Sequence, residues 1–494
     1  MKQFKNTYFD IKKTGVLKFL IEYVVLCTFA ISSIIRADFL YVDDYGRTYS
    51  GDVNDWNVYS RYLGKLLCKI MSGNKIVNDT SPLPQIVTII LMAISAAFII
   101  YALAPEKMRS KLMLIASVIL TINPYFLENI SLKIESILHG ATTVLAALPL
   151  LFYKKRNIGY SLFAAVCIFL TCLTYQGATG LFPLFVIIIA ADEWNEGKQL
   201  KEIGKLIISS AVGYVAGLIC FRVLVMKPVQ THVSSEMLGI GKLLPGLFKN
   251  WFTYFQTVHQ DFNAIWEILI ILVIIFFCCI FVLHSKRNKA AAFFVSIITV
   301  ALSAMSCMGI YVLLAEPIYE PRVMRVFGCF ISLLCIYSVG RADKVMLYLS
   351  GTVSVVIVWC FITFSLTYGN CLSLQKEYTE SRIQMIINWL NENCDRDESY
   401  KMDLRGGIGY APAAVNDVEC YPLLDKLIPK TLDGSWGWSQ YRLYYFYNIP
   451  DNIITSSWLV EDSDKFDPNA MDLTEELLWF DVYRKDEKLL IYLK

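Results

Sequence analysis

The sequence predicts an all-α polytopic membrane protein carrying a small α+β domain at its C-terminal end. Three observations predict it. Of the 494 residues, 56% are hydrophobic and only 18% charged, against about 25% charged in ordinary soluble domains. The apolar residues are gathered into long runs rather than dispersed. From about Gly369 onward those runs stop, and charge, Trp and Tyr take over. The net charge of +2 leaves no basic surplus to neutralise phosphates, so no nucleic-acid partner is expected. Disorder and collagen-like structure are excluded by the same composition.

A spanning helix needs about 20 mostly apolar residues. Val16–Ala37, Pro84–Ala104, Leu206–Met226, Ala264–Leu283, Ala291–Ala315 and Val345–Tyr368 meet that length. Shorter arms at Leu112–Leu127, Ile137–Phe152, Ile158–Tyr175, Ala178–Ala191 and Val326–Val339 bring the expected total to about eleven. The turn TYQGATG also lets the pair 158–191 re-enter instead of crossing, which gives about nine. The first run is too long for a cleavable signal peptide and has no small-residue cleavage site behind it. Most of the fourteen cysteines sit inside apolar runs and read as small buried hydrophobes, without zinc-type spacing.

Lys and Arg set the orientation. Lys2, Lys5, Lys12, Lys13 and Lys18 precede the first span. Alternate loops carry Lys107, Arg109 and Lys111; Lys154, Lys155 and Arg156; Lys198, Lys201 and Lys205; Lys286, Arg287 and Lys289; and Arg341 and Lys344. All fall on the N-terminal side, which places the N-terminus in the cytoplasm and the C-terminus outside. The expected domains are therefore a membrane part, 1–368, with an outer loop 38–83, and an extracytoplasmic part, 369–494. A third outer piece, 227–263, contains KLLPGLFKNWFTYFQTVH and reads as a helix lying in the interface. In the C-terminal part, KEYTESRIQMIINWLNEN reads as an amphipathic helix and LLWFDVYRKDEKLLIYLK as a hairpin turning at RKDEK.

Four segments can carry chemistry. In YVDDYGR, Asp43 and Asp44 follow the first span, with Asp38, Arg47, Asp52, Asp55, Trp56 and Arg61 around them. Paired acids at a membrane surface suit general base work, cation binding or helix capping. Two adjacent acids in an extended segment point opposite ways, so one of them faces a substrate. In NPYFLENISLKIESILHG, Glu128, Lys133, Glu135 and His139 lie close to membrane depth. Such residues line a cavity, or here close the loop as a Glu128–Lys133 or Lys133–Glu135 pair. In EPIYEPRVMR, Arg322 and Arg325 either clamp a phosphate or snorkel to headgroups. Tyr175 and Gln176 in TYQG bond sugar hydroxyls or only turn the chain. There is no P-loop, HExxH or nucleophile elbow in the sequence.

The ordered set YVDDYGR, NPYFLENIS, TYQG and EPR resembles the polytopic glucosyltransferase II family, which decorates bacterial O-antigens and related surface polysaccharides. The resemblance covers about Val16 to Tyr368. It implies a GT-C-like fold in the bacterial cytoplasmic membrane and transfer of a glucosyl or similar residue from a polyprenyl-phosphate sugar to a polysaccharide or lipid-linked glycan. It implies an inverting single displacement with a loop acid as base, Asp43 by analogy, and Asp44 orienting the loop through Arg47. Donor phosphate is then expected on Arg322, Arg325, Lys133 and Arg222. Sugar and acceptor are expected on Arg47, Glu128, Glu135, Tyr175 and Gln176. No cofactor is required, although Mg²⁺ or Ca²⁺ shared by carboxylates and phosphate is compatible. Expected partners are the bilayer, a flippase and a donor-synthesising enzyme. The competing readings are a transporter or flippase of lipid-linked sugars and a polysaccharide polymerase.

Overall fold

The computed structural model describes residues 15–227, 236–433, 442–443, 447, 449, 451–455 and 466–494. Lys2, Lys5, Lys12 and Lys13 lie outside the described residues. The expected first span is divided into α1 (Val16–Ala30) and α2 (Ser32–Ala37) at Ile31. The outer loop is itself helical: α3 (Asp43–Ser50), α4 (Asp55–Val58) and α5 (Tyr62–Ser72). Trp56, Cys68 and Val77 of that loop bury against Ile134, Ile137 and Leu138, so the loop is fastened onto the bundle.

The bundle continues with α6 (Leu83–Leu103), α7 (Lys111–Ile122), the short α8 (Phe126–Ser131), α9 (Ser136–Ala147), α10 (Ile158–Thr174), α11 (Leu181–Asn195) and α12 (Leu200–Leu224). It ends with α13 (Leu243–Asp261), α14 (Ala264–Leu283), α15 (Lys289–Ser306), α16 (Pro321–Met324), α17 (Val326–Arg341) and α18 (Lys344–Asn393). Ser110, Asn157, Asn288 and Asp343 cap the helices that follow them, each accepting backbone N–H bonds from the first turn. These four caps lie in the basic loops, and Asn263 caps α14 in the same way outside them.

Those basic loops meet. Arg156 pairs with Glu193, and Lys198 reaches the same carboxylate at 2.7 Å. Arg341 pairs with Asp192 at 2.6 Å and with Glu196 at 3.2 Å, and Lys286 with Glu196 at 2.5 Å. The 154–156, 198, 286 and 341 loops therefore share one end of the bundle, as the charge pattern requires.

Among the described residues, eight helical segments are long and apolar enough to cross a membrane. That number is lower than the expected eleven because three of the expected runs form no long unbroken helix. The first run breaks at Ile31. α7 stops at Ile122 before Asn123–Pro124, since a residue before proline leaves the helical region. α10 is 17 residues long. α15, which is one of the eight, stops at Ser306 rather than Ala315, because the chain turns at Gly309 (φ 52) against Gly180. A Cβ on Gly309 would stand 2.5 Å from Gly180 N. The turn between α10 and α11 reaches the end opposite the basic cluster, where Gln176 Nε2 donates to Tyr59 O at 2.9 Å.

α13 is the helix expected in the interface. Leu244, Phe248, Phe252 and Phe255 form its exposed apolar stripe, while Asn250, Tyr254 and Val258 are buried. α18 joins two elements that the sequence suggested as separate. Its 50 residues extend about 75 Å at roughly 1.5 Å each, more than twice the roughly 30 Å hydrocarbon core. The helix runs through position 368 without a break and becomes the amphipathic helix of the C-terminal part.

There Ile383, Ile386, Ile387 and Leu390, at helical spacing, cover a five-stranded mixed sheet. The strands are β1 (Tyr400–Gly406), β2 (Ile453–Thr455), β3 (Asp472–Glu476), β4 (Phe480–Lys485) and β5 (Lys488–Leu493), in the order β2-β1-β5-β4-β3. β1 runs parallel to both neighbours. β4 and β5 form the expected hairpin in register Phe480↔Leu493, turning at Asp486 with φ 50, the positive φ that tight hairpin turns need.

The break between α1 and α2 is held by α18. Ser33 Oγ donates to Ser365 O at 3.1 Å, and Ser365 Oγ donates to Ala30 O at 2.8 Å. Gly369 lets the backbones approach, since a Cβ there would lie 2.5 Å from Ile34 N. Gly369→Ala is expected to lower stability by about 1–3 kcal/mol through overpacking. Gly204→Ala, which meets open space on α12, is expected to be neutral or slightly stabilising. Thermal unfolding of the purified protein in detergent compares the two.

Candidate active site

The four polar segments converge at the end of the bundle away from the basic cluster. The first enters through two residues with left-handed backbone, Asp38 (φ 45) and Val42 (φ 38). A β-branched residue pays for that conformation with roughly 1–3 kcal/mol of strain, so the surrounding packing holds the bend. The pair Asp43–Asp44 opens a helix rather than an extended segment, yet the two carboxylates still part company. Asp44 is fully buried, and Asp43 keeps about a quarter of its side chain open (26%).

Asp44 binds backbone. Its Oδ2 accepts from Tyr41 N at 3.2 Å and Lys133 N at 2.9 Å, and its Oδ1 from Ile134 N at 3.3 Å. Burial pushes its pKa up to about 7 against the opposing pull of Arg47 and these N–H groups. Asp44 thus ties the outer loop to the segment between α8 and α9. Asp43 instead faces Arg47, whose Nη2 lies 3.4 Å from it and 2.9 Å from Glu135 Oε1. Trp56 Nε1 also donates to Glu135, and the Arg47 guanidinium lies over the Trp56 ring at 4.7 Å. Arg47 Nε and Nη1 find no acceptor among the described residues.

Lys133 does not close its own loop with Glu128 or Glu135. It pairs with Asp38 and, at 2.5 Å, with Asp79. Burial works against its charge, and the two carboxylates outweigh burial and raise its pKa. Glu128 turns to the fourth segment. Its Oε2 accepts from Arg322 N at 2.6 Å, and its Oε1 lies 3.8 Å from Arg322 Nε. Burial raises Glu128 to about 7, with Arg322 pulling down and the Glu320 and Asp43 charges pushing up. Asp43 therefore acts within the same electrostatic neighbourhood as Glu128.

The two arginines of EPRVMR separate. Arg325 is 1% exposed; its Nη1 donates to His139 O at 2.9 Å and its Nη2 to Thr142 Oγ1 at 2.7 Å. It braces α9 and is no open phosphate ligand. Arg322 keeps 30% of its side chain exposed. Tyr175 stacks edge-on to His139 at 4.7 Å and lies under Arg61 at 4.7 Å. Arg61 Nε donates to Gln176 Oε1 at 3.2 Å. Arg222 is exposed on α12, with Met226 Sδ at 3.0 Å as its contact, and shares no hydrogen bond or ion pair with this cluster among the described residues.

Sequence reasoning missed Asp79, Gln85 and Asn129, and passed over Arg61 as a mere neighbour. Asp79 sits in a polar stretch with no spacing signal, and Gln85 is one amide in the first turn of an apolar helix. Asn129 lies inside a motif already singled out; its Nδ2 donates to Arg322 O at 3.2 Å.

The arrangement defines a polytopic membrane protein with a charged site at one end, walled by Asp43, Arg47, Arg61, Glu128, Tyr175 and Arg322. The model of the GtrII glucosyl transferase family matches residues 32–333, more than half of the chain and all four segments. The chain belongs to this family, and membership supports glycosyltransferase activity on surface polysaccharide. It is also similar to a Salmonella phage P22 protein described as an uncharacterised 55.3 kDa protein in the gtrB 5′ region. That protein is 25% identical over 437 residues, covering 82% of this chain and 87% of the phage protein. No solved structure matches the chain. The family match ends within α17, before α18 and the sheet.

Asp44 and Glu128 hold their protons to about pH 7 in the folded chain, while the ordinary values are 3.8 and 4.5. Between those limits the folded state binds more protons than the unfolded one. Stability supplied by the two carboxyls is therefore expected to fall as pH rises from about 4 to about 7 and to level off above. Glu128→Gln is expected to flatten part of that slope in unfolding curves recorded across the range. An unchanged slope would reject the assignment. Asp44→Asn sets an N–H₂ group against N–H donors and is expected to cost about 1–3 kcal/mol of stability.

Proposed function

We propose that the chain transfers a glucosyl or similar hexosyl residue from a polyprenyl-phosphate sugar to a cell-surface polysaccharide, O-antigen or a wall glycan. The reaction takes place at the outer face of the bacterial cytoplasmic membrane. The observation that carries the reading is the convergence of four distant segments on Asp43, Glu128 and Arg322, in a chain of a glucosyl transferase family. The basic loops share the opposite end, which supports a cytoplasmic N-terminus and an outer C-terminal domain.

In this reading the acceptor hydroxyl oxygen attacks the anomeric carbon while Asp43 takes the hydroxyl proton. The carbon–oxygen bond to phosphate breaks, and the phosphate leaves with the electron pair. Arg322 meets the charge that remains on the phosphate; the leaving group needs no proton. Glu128 positions Arg322 through its backbone N–H, and Arg325 supports the wall behind. Arg47, Glu135, Tyr175, Gln176 and Arg61 are left to orient sugar hydroxyls. The scheme does not require a metal; a Mg²⁺ or Ca²⁺ ion, if bound, would be held by Asp43 and would offset phosphate charge. The donor is a product of lipid-phosphate glucosylation and must be carried across the membrane, which makes a donor synthase and a flippase the expected partners.

Asp43→Asn is expected to lower turnover by about 10²- to 10⁴-fold while the protein still inserts and folds. The measurement is transfer of label from polyprenyl-phosphate glucose to glycan. Arg322→Ala is expected to raise the KM for donor more than for acceptor, and Arg322→Lys to recover only part, because the planar fork is lost. Near-wild-type turnover in Asp43→Asn would remove the outer loop from the chemistry. Labelled lipid crossing the membrane without transfer would favour a transporter. A reporter active only outside the cytoplasm, fused after Lys494, is expected to be active; activity of a cytoplasm-only reporter there would reverse the orientation.

A further inference from the structure

A cavity of about 260 Å³ opens beside the charged cluster, between α2, α6, α18 and the α8–α9 segment. Ile34, Ile35, Phe39, Pro82 and Leu372 supply apolar walls, and Asp38, Ser81, Gln85, Ser131 and Lys133 supply polar ones. At about 30 Å³ per water, it holds the equivalent of eight or nine waters. That is smaller than the roughly 300–1,000 Å³ of sites for drug-sized ligands and suits a single six-membered ring with its hydroxyls.

Its charges cancel. Lys133 is held between Asp38 and Asp79, and Lys376 Nζ lies 3.8 Å from Asp38. Two cations thus face two carboxylates, which leaves no surplus for an anion. Hydrogen-bonding capacity, in contrast, remains. An ammonium has three donors, and Lys133 spends two on carboxylates. Gln85 is 3% exposed, yet its Oε1 meets no donor among the described residues. A buried amide oxygen without a partner costs about 1–3 kcal/mol, so a group that donates to it is the expected occupant. Phe39 offers a ring beside these polar groups, a face against which the C–H side of a pyranose packs.

We propose that this cavity binds one neutral hexose ring, with Gln85 and Lys133 bonding its hydroxyls and Phe39 packing on its face. The inference stands on the cavity's chemistry and does not depend on the transfer reaction. It reassigns Lys133 from the donor phosphate, which Arg322 serves, to sugar.

The experiment is saturation-transfer NMR on the full chain in nanodiscs, with methyl glucoside as the neutral probe and citronellyl phosphate as the anionic one. Methyl glucoside is expected to bind the wild type. Gln85→Leu is expected to weaken it by about tenfold, the equivalent of one lost buried hydrogen bond. Gln85→Glu keeps the size and the acceptor and is expected to retain binding, which separates lost recognition from lost folding. Citronellyl phosphate is expected to be insensitive to Gln85→Leu and weakened by Arg322→Ala. Competition by citronellyl phosphoglucose would place the donor's sugar in the cavity, and simultaneous binding would place an acceptor sugar there; both support the proposal. No methyl glucoside binding to the wild type, binding unchanged in Gln85→Leu, or phosphate binding lost with Gln85→Leu would overturn it. Because none of these readouts needs turnover, an inactive transferase and an empty sugar cavity remain distinguishable.

Discussion

A single buried carboxylate holds the polar end of this molecule together. Asp44 accepts backbone N–H bonds from its own entry turn and from Lys133 and Ile134. That link joins the outer loop to the α8–α9 segment beside the apolar contacts of Trp56, Cys68 and Val77 with Ile134, Ile137 and Leu138. With it, the Arg47–Glu135 pair closes at 2.9 Å and Lys133 meets Asp38 and Asp79. Glu128 is then fixed where Arg322 reaches it. The strained backbone at Val42 and Asp38 is tolerated because these contacts over-determine it. The acid that does no chemistry in the proposed reaction is therefore the one on which the site's geometry depends.

The second constraint is length. An apolar helix that crosses a bilayer ends near the headgroups, but α18 continues for several more turns and carries the sheet with it. The paired serines at 33 and 365 and the close approach at Gly369 lock this helix to the broken first span. The C-terminal part is anchored a second time where Lys426 meets Asp261 at 2.6 Å and Tyr41 Oη donates to Leu427 O at 2.9 Å. Since Tyr41 lies three residues before Asp44, the sheet-bearing part touches the same loop that Asp44 organises. The outer loop is thus one of three ties between that part and the bundle, beside the continuous α18 and the Lys426–Asp261 pair.

The long apolar helices, the amphipathic helix α13, the C-terminal hairpin and the grouping of basic loops were legible in the sequence. Each follows from a periodic or compositional signal several residues long. Helix ends were less legible. Ile31 interrupts an apolar run where Ser365 of a distant helix bonds Ala30 O, and Gly309 turns the chain where Gly180 leaves room for it; neither cause is local. The site was legible as motifs but not as pairings. Lys133 could be placed among acids, yet the sequence neighbours Glu128 and Glu135 were the wrong ones. Its partners, Asp38 and Asp79, lie 95 and 54 positions away. Ion-pair partners across such distances depend on which loops the bundle brings together.

The fates of Arg322 and Arg325 show how finely the fold divides similar residues. Both stand in one short motif, three positions apart, at the start of the same segment. Three residues on a helix amount to most of a turn, so both side chains rise on neighbouring faces. The difference lies in what waits for them. Arg325 meets a carbonyl and a hydroxyl of α9 and is sealed between the rings of Phe126 and Tyr175. Its charge is spent on holding helices. Arg322 meets a carboxylate only loosely, at 3.8 Å, with part of its guanidinium open. Glu128 already has a strong partner in the Arg322 backbone N–H at 2.6 Å, so its side-chain contact can yield to a phosphate without leaving the carboxylate unbonded. A cation that can exchange its partner at small cost suits transient binding of an anion; one whose donors are built into the packing does not.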